Sequence, residues 1–201
     1  MKTDTYKIKI EFITEILGSQ PADDVASRFI AKRNGMEEIP QDELDAMIED
    51  DGSGQDGMVT RFHKDKFGHP LLFDYQIKGF MKNAAQVLNG KDGLPKALKS
   101  KVNNLVFISP RSMQIKLPNG SEMSYCERSL RAETMRGPRV ALAKSEMLPE
   151  KCVVEFGLTV LPGEISQHVL EELLDYGYYQ GLGQWRNGGY GRFRYELTRE
   201  E

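Results

Sequence analysis

Gly181-Leu182-Gly183-Gln184-Trp185-Arg186-Asn187-Gly188-Gly189-Tyr190-Gly191 runs straight into Arg192-Phe193-Arg194-Tyr195-Glu196-Leu197. Five glycines in these eleven residues are not a packing solution, because each costs backbone entropy and brings no side chain to a core. Glycine permits positive φ and close approach by another molecule. With Trp185, Arg186, Tyr190, Arg192 and Arg194 around it, the loop has the chemistry to hold a phosphate-bearing chain. The competing reading is a tight connection between two elements.

Neither common glycine fingerprint fits. A phosphate-binding loop of nucleotide hydrolases needs Lys and then Ser or Thr after its last glycine, and here Gly188 is followed by Gly189 and Tyr190. A dinucleotide fold needs GxGxxG between a strand and a helix, but Arg186 occupies the third glycine place. The order of elements is also reversed: an apolar helix precedes this loop and a strand follows it. What fits is GxGxxxxxGxG, with Gly181, Gly183, Gly189 and Gly191 in the four places.

On that pattern the last fifty or so residues resemble the repeat-associated mysterious protein (RAMP) superfamily of CRISPR-associated proteins. The resemblance implies a ferredoxin-like fold, RNA binding, and a glycine-rich loop beside the last helix that contacts the RNA backbone. It also implies side-by-side assembly along a guide RNA, as a homo-oligomer or within a multiprotein ribonucleoprotein. Lys78-Gly79, after an extended segment, looks similar to the start of a helix in the RNA-binding backbone members of that superfamily.

The segment preceding the loop supplies the fold pattern. Cys152, Val154, Phe156, Leu158 and Val160 alternate, as expected of a half-buried strand over 151–161, and Pro162-Gly163 turns it. Ile165, Val169, Leu170, Leu173 and Leu174 then mark an amphipathic helix with a glycine cap expected near Gly177. Strand, helix, glycine loop and strand make half of a β-α-β-β-α-β unit. Tyr6, Ile8, Ile10 and Phe12 give a first strand, and Ile77 to Leu88 gives a helix closed by Asn89-Gly90. The chain therefore reads as α/β (α+β) with a ferredoxin-like or RRM-like core in a single domain, 1–201.

Two insertions interrupt that core. Residues 22–33 read as a short helix with Asp23 and Asp24 in its first turn. The acidic segment 34–58 follows, holding a short helical stretch over 41–49 and then a flexible loop. Its Gly52, Gly54 and Gly57 match GxGxxG formally, but carboxylates on either side would repel pyrophosphate. Residues 101–148 read as hairpins forming an arm, with strands over 104–109, 112–117 and 123–127. Arg128, Arg131, Arg136 and Arg139 concentrate there. Either they bracket a nucleic-acid backbone, or they form a solvated face paired with Glu127, Glu133 and Glu146.

The net charge of -3 argues against a phosphate-bearing partner until its distribution is considered. Residues 37–56 hold nine acids and no base, so the rest of the chain carries 27 bases against 21 acids, a net of +6. A basic body permits nucleic-acid binding. No apolar run is long enough to span a membrane and no apolar leader opens the sequence, so a cytoplasmic protein without a membrane partner is expected. Cys126 and Cys152 have no paired spacing, so neither a disulfide framework nor a metal site is expected, and no cofactor is called for.

Catalysis has narrow support. His168 sits on the expected last helix, whereas His63 and His69 flank Lys64 and Lys66 in a polar loop, where a general acid or base beside a cation makes chemical sense. The reading is a non-catalytic protein that binds single-stranded RNA through Lys78, Arg128, Arg131, Arg136, Gly183, Trp185, Arg186, Gly189, Tyr190, Gly191 and Arg192. Three alternatives stay open. They are a metal-independent endoribonuclease of the same superfamily using His63 or His69, a phage or mobile-element protein that borrows the fold for interference, and an assembly protein in which Trp185 and Tyr190 make protein contacts.

Overall fold

The computed structural model describes residues 2–21, 59–91, 93–134 and 137–200, with the backbone alone at 21, 130–134 and 137–141. The helix expected over 22–33, the acidic insertion 34–58 and Arg136 lie outside the described residues. In chain order the strands are β1 (Asp4–Phe12), β2 (Ile16–Leu17), β3 (Gln20–Pro21), β4 (Val59–Arg61), β5 (His63–Lys64) and β6 (Pro70–Phe73). Helices α1 (Asp74–Val87) and α2 (Leu98–Leu105) come next, then β7 (Val106–Ser109), β8 (Ser112–Gln114), β9 (Ser124–Thr134), β10 (Gly137–Leu148) and β11 (Val153–Val160). Helix α3 (Gln167–Asp175), two single 3-10 turns and β12 (Phe193–Glu200) complete the chain.

The main sheet runs β12-β1-β11-β7, antiparallel throughout. With α1 and α2 lying between its first and second strands in sequence, and α3 between its third and fourth, this is the ferredoxin-like β-α-β-β-α-β order. Alternation dictates the layering. Tyr6, Ile8, Ile10 and Phe12 are buried, while Lys7, Lys9 and Glu11 point to the other face. Ile77, Phe80, Met81, Ala84 and Ala85 of α1 meet that buried face, as do Val169, Leu170, Leu173 and Leu174 of α3. The start of α1 is held by Gln76, whose Oε1 accepts the Phe73 N–H at 2.8 Å, and that of α3 by Ser166, whose Oγ accepts the Val169 N–H at 3.4 Å.

Residues 101–109, expected in the arm, instead belong to α2 and β7, where Val102 and Val106 are fully buried. The insertion into the core order thus lies between β7 and β11. It contributes β8 to a small sheet β5-β6-β8, and β9 and β10 to a second sheet with β2, β4 and β3. Strands β9 and β10 pair from Ser124↔Met147 to Thr134↔Gly137 as one long ribbon. The base of β10 is also joined by β2 at Met147 and Leu148, and by β4 at Lys144 and Ser145. Farther out, among the described residues, the two strands pair only with each other. Glu146 anchors the base. Almost fully buried, it accepts the Phe62 N–H at 2.8 Å and the Lys64 ammonium at 2.6 Å.

Candidate nucleic-acid interface

The glycine loop is first of all a folded object. Leu182 N–H donates to Gly191 O at 2.9 Å, Gly191 N–H to Glu15 O at 2.7 Å and Gln184 N–H to Leu17 O at 3.2 Å, so the loop closes on itself, on the turn after β1 and on β2. A Cβ on Gly181 would overlap the Gly191 backbone, one on Gly191 would overlap Leu182 O, and one on Gly183 would press on Leu17 O. Gly188 lies against the Trp185 ring. The close approach that demands glycine at 183 and 191 is therefore made by the chain's own backbone. Gly189 differs. It has φ +88°, and a Cβ built there would meet nothing among the described residues closer than the Arg192 guanidinium at 3.6 Å. Gly177, expected to cap α3, is required instead by the Phe193 ring, which fills the place of its side chain.

The loop is tied to the ribbon through polar and aromatic contacts. Thr60 Oγ1 donates to Gln184 Oε1 at 2.6 Å, and Ser145 Oγ donates to the same oxygen at 3.1 Å. Trp185 stacks on Tyr190 with centroids 5.3 Å apart, and the Arg128 guanidinium of β9 lies 4.7 Å from the Trp185 ring centroid. Cys126 Sγ and Tyr190 Oη lie 3.6 Å apart, and Thr14 links the Gly189 carbonyl to the Arg192 N–H. Arg128 of β9 is thus brought to one cluster with Trp185, Tyr190 and Arg192 of the distant glycine loop. Among the described residues, Nε and Nη1 of Arg128 and Nε of Arg192 are buried without a hydrogen-bond partner. Glu127 pairs with Lys144 at 3.0 Å and Glu146 with Lys64 at 2.6 Å, so neither of these carboxylates forms a salt bridge with Arg128.

Beside this cluster an open groove of about 450 Å³ runs between α1 and the loop. Lys82, Lys99 and Arg186 supply its charge, Gln76, Asn83 and Gln86 supply amides, and Tyr75 stands at one side. A second depression of about 520 Å³ shares Lys82, Gln86 and Lys99 and continues past Asn89 to Asn103. Neither is lined by Asp or Glu among the described residues. Lys82 and Lys99 were not singled out in the sequence. Their signal was the absence of Asp and Glu from 75–87 of α1 and from 98–105 of α2.

The chain is similar to one in the cryo-EM structure of the type III-B Cmr-beta bound to cognate target RNA, with TM-score 0.60 and 13% identity over 100% of this chain and 61% of that one. It therefore spans less than two thirds of that chain's length. A weaker likeness, TM-score 0.46 and 10% identity over 96% of this chain and 90% of the other, is to a chain of a type IV-B CRISPR complex. No protein-family model and no curated protein sequence matches the chain.

The other expected site residues fall elsewhere. Lys78 is turned away from the loop: its ammonium donates to Val102 O at 2.8 Å and to Val106 O, where it satisfies carbonyls at the end of α2. Burial, with Lys82 adding to it, lowers its pKa. Its ammonium is thus engaged at the end of α2. Arg131 lies on the outer part of β9, where the backbone alone is described, and Arg194 is exposed on β12. His63 bonds Tyr75 Oη at 3.1 Å, and burial lowers its pKa. His69 bonds Asp65 at 2.9 Å. No hydrogen bond joins the two histidines among the described residues. No cluster of three or more metal-ligating side chains occurs among those residues, and no helix there is long and apolar enough to cross a membrane.

Proposed function

We propose that this chain is a non-catalytic protein that binds single-stranded RNA as a subunit of a CRISPR-type or related ribonucleoprotein assembly, beside further copies or other subunits. The observation that carries the reading is the groove of Lys82, Lys99 and Arg186, lined by no Asp or Glu among the described residues, alongside the Trp185, Tyr190 and Arg128 cluster. Cations spaced along a groove track a phosphate backbone, while aromatic faces and guanidinium planes stack on bases without demanding a sequence. The likeness to a chain from an RNA-bound Cmr-beta supports the same reading.

The helix-free face of the main sheet does not offer the mode used by RRM domains, where aromatic side chains on the strands stack successive bases. Here that face carries Lys7, Lys9, Glu11, Glu155, Arg194 and Glu196, with Lys9 paired to Glu196 at 2.9 Å and Glu155 to Lys116 at 3.2 Å. Phe107 on β7 is the one large exposed aromatic of the sheet among the described residues. Binding is accordingly assigned to the groove and loop.

The test is to purify the protein at low salt, extract the nucleic acid that travels with it, and digest it separately with RNase and DNase. RNA is expected, of defined length if the protein is taken from a guide-loaded assembly. A well-folded protein that carries no RNA and binds no RNA oligonucleotide at low salt would end the proposal. Incubation with labelled RNA should leave it intact, and cutting that disappears in His63→Ala would turn the reading into the endoribonuclease one.

A further inference from the structure

We infer that Tyr75, with the bare helix surface at Gly79 beside it, is a stacking subsite for one nucleobase of the strand held in the groove; this rests on the RNA-binding reading above. Tyr75, Gly79, Lys82, Asn83 and Gln86 recur at the spacing that puts side chains on one helix face, and all five line the groove. The face thus presents an aromatic ring, a gap, a cation and two amides in order along α1. A nucleotide has the matching parts: a flat base, an edge of donors and acceptors, and a phosphate.

Tyr75 is held as a platform rather than left as a loose surface ring. It is 57% exposed, yet it stacks on Phe73 at 5.6 Å between centroids with 21° between the planes. Its hydroxyl bonds His63 Nε2 at 3.1 Å, and the His63 ring packs edge-on against Phe73 at 4.6 Å. Three rings and one hydrogen bond fix the tyrosine, so little side-chain freedom remains to be lost when a base stacks on it.

Gly79 is the independent observation. A glycine inside a helix is destabilising relative to alanine, so it calls for a reason. Among the described residues packing supplies none, because a Cβ built there meets none of them within 4 Å and φ is not in the left-handed region. What its absence does is leave open floor in the groove one turn from Tyr75, where a side chain would occupy the space that a stacked base needs.

The experiment measures affinity for a short single-stranded RNA and for an abasic strand of the same length, using wild type, Tyr75→Ala, Tyr75→Phe and Gly79→Ala. Tyr75→Ala is expected to weaken RNA binding by roughly 5-fold or more, the lower range for loss of one base–aromatic stack, with Tyr75→Phe close to wild type. On the abasic strand the wild type and Tyr75→Ala should bind alike. Gly79→Ala should raise the thermal midpoint while lowering RNA affinity, a divergence that a merely structural role would not give. Tyr75→Ala binding RNA as tightly as wild type would overturn the subsite and leave the RNA-binding reading standing. An equal loss on RNA and abasic strands would also overturn it. A wild type that binds no RNA would remove the reading on which it rests.

Discussion

Gly189 and Gly191 separate what a folded loop needs from what a ligand could use. Both have positive φ, 88° and 71°, so alanine at either costs about 1 to 2 kcal/mol from left-handed strain. Only at 191 would the added Cβ also overlap backbone, at Leu182 O. Overpacking adds about 1 to 3 kcal/mol, so Gly191→Ala should destabilise by about 3 kcal/mol or more and Gly189→Ala by about half that, read by denaturant unfolding. Retained RNA binding by a folded Gly189→Ala would place phosphate contact on the arginines rather than on the loop backbone. His63 gives a second prediction at this scale. Its folded pKa lies below the ordinary 6.5 because burial disfavours the cation, so near that pH the unfolded chain holds more protons than the folded one. Stability should therefore be fully present above about pH 6.5 and fall as pH drops through the folded pKa of His63, and His63→Gln should flatten that dependence in thermal melts.

Individual elements were legible in the sequence wherever burial was one-sided. β1, β11, α1 and α3 all follow their alternation or helical spacing, because each lays one apolar face on a shared core. α2 was missed, although Leu94, Leu98, Val102 and Leu105 lie at helical spacing, because its eight residues run directly into β7 without a turn. β2 to β5 have two or three residues each, too few for any period, and are strands only because β10 pairs β2 and β4, β4 pairs β3, and β6 pairs β5. The ribbon invites a deletion. Arg128 pairs with Ala143 and Ser129 with Leu142, so replacing 129–142 by Asn-Gly leaves a two-residue hairpin above the level where β4 joins β10. Because the removed strands pair only with each other among the described residues, the shortened protein should unfold within about 0.5 kcal/mol of the parent. A loss of folding would mean that the ribbon packs on more than itself.

At the scale of the whole molecule, the groove was not legible in the sequence because it exists only after folding. Ser19, Lys82, Lys99 and Arg186 come from four separated segments and meet where α1 passes the glycine loop. Trp185 and Arg186 stand out in the sequence because they sit in an unusual motif, whereas Lys82 and Lys99 look like ordinary helix-surface cations until folding brings them to a groove lined by no Asp or Glu among the described residues. The same geometry makes the last prediction quantitative. Single-strand binding releases about 0.7 counterions per phosphate contacted, so the log-log dependence of affinity on salt counts contacts. Replacing Lys82, Lys99 and Arg186 together by Ala should make that slope shallower by about 2, if each neutralises one phosphate. Replacing Lys7 and Arg194 on the open face of the main sheet should leave it unchanged, since those side chains sit among Glu11, Glu155 and Glu196 on the opposite side of the core. Affinity measured across a salt series for both triple and double variants distinguishes a strand lying in the groove from one lying on the sheet. An unchanged slope in the groove variant with a shallower one in the sheet variant would move the RNA to the other face of the molecule.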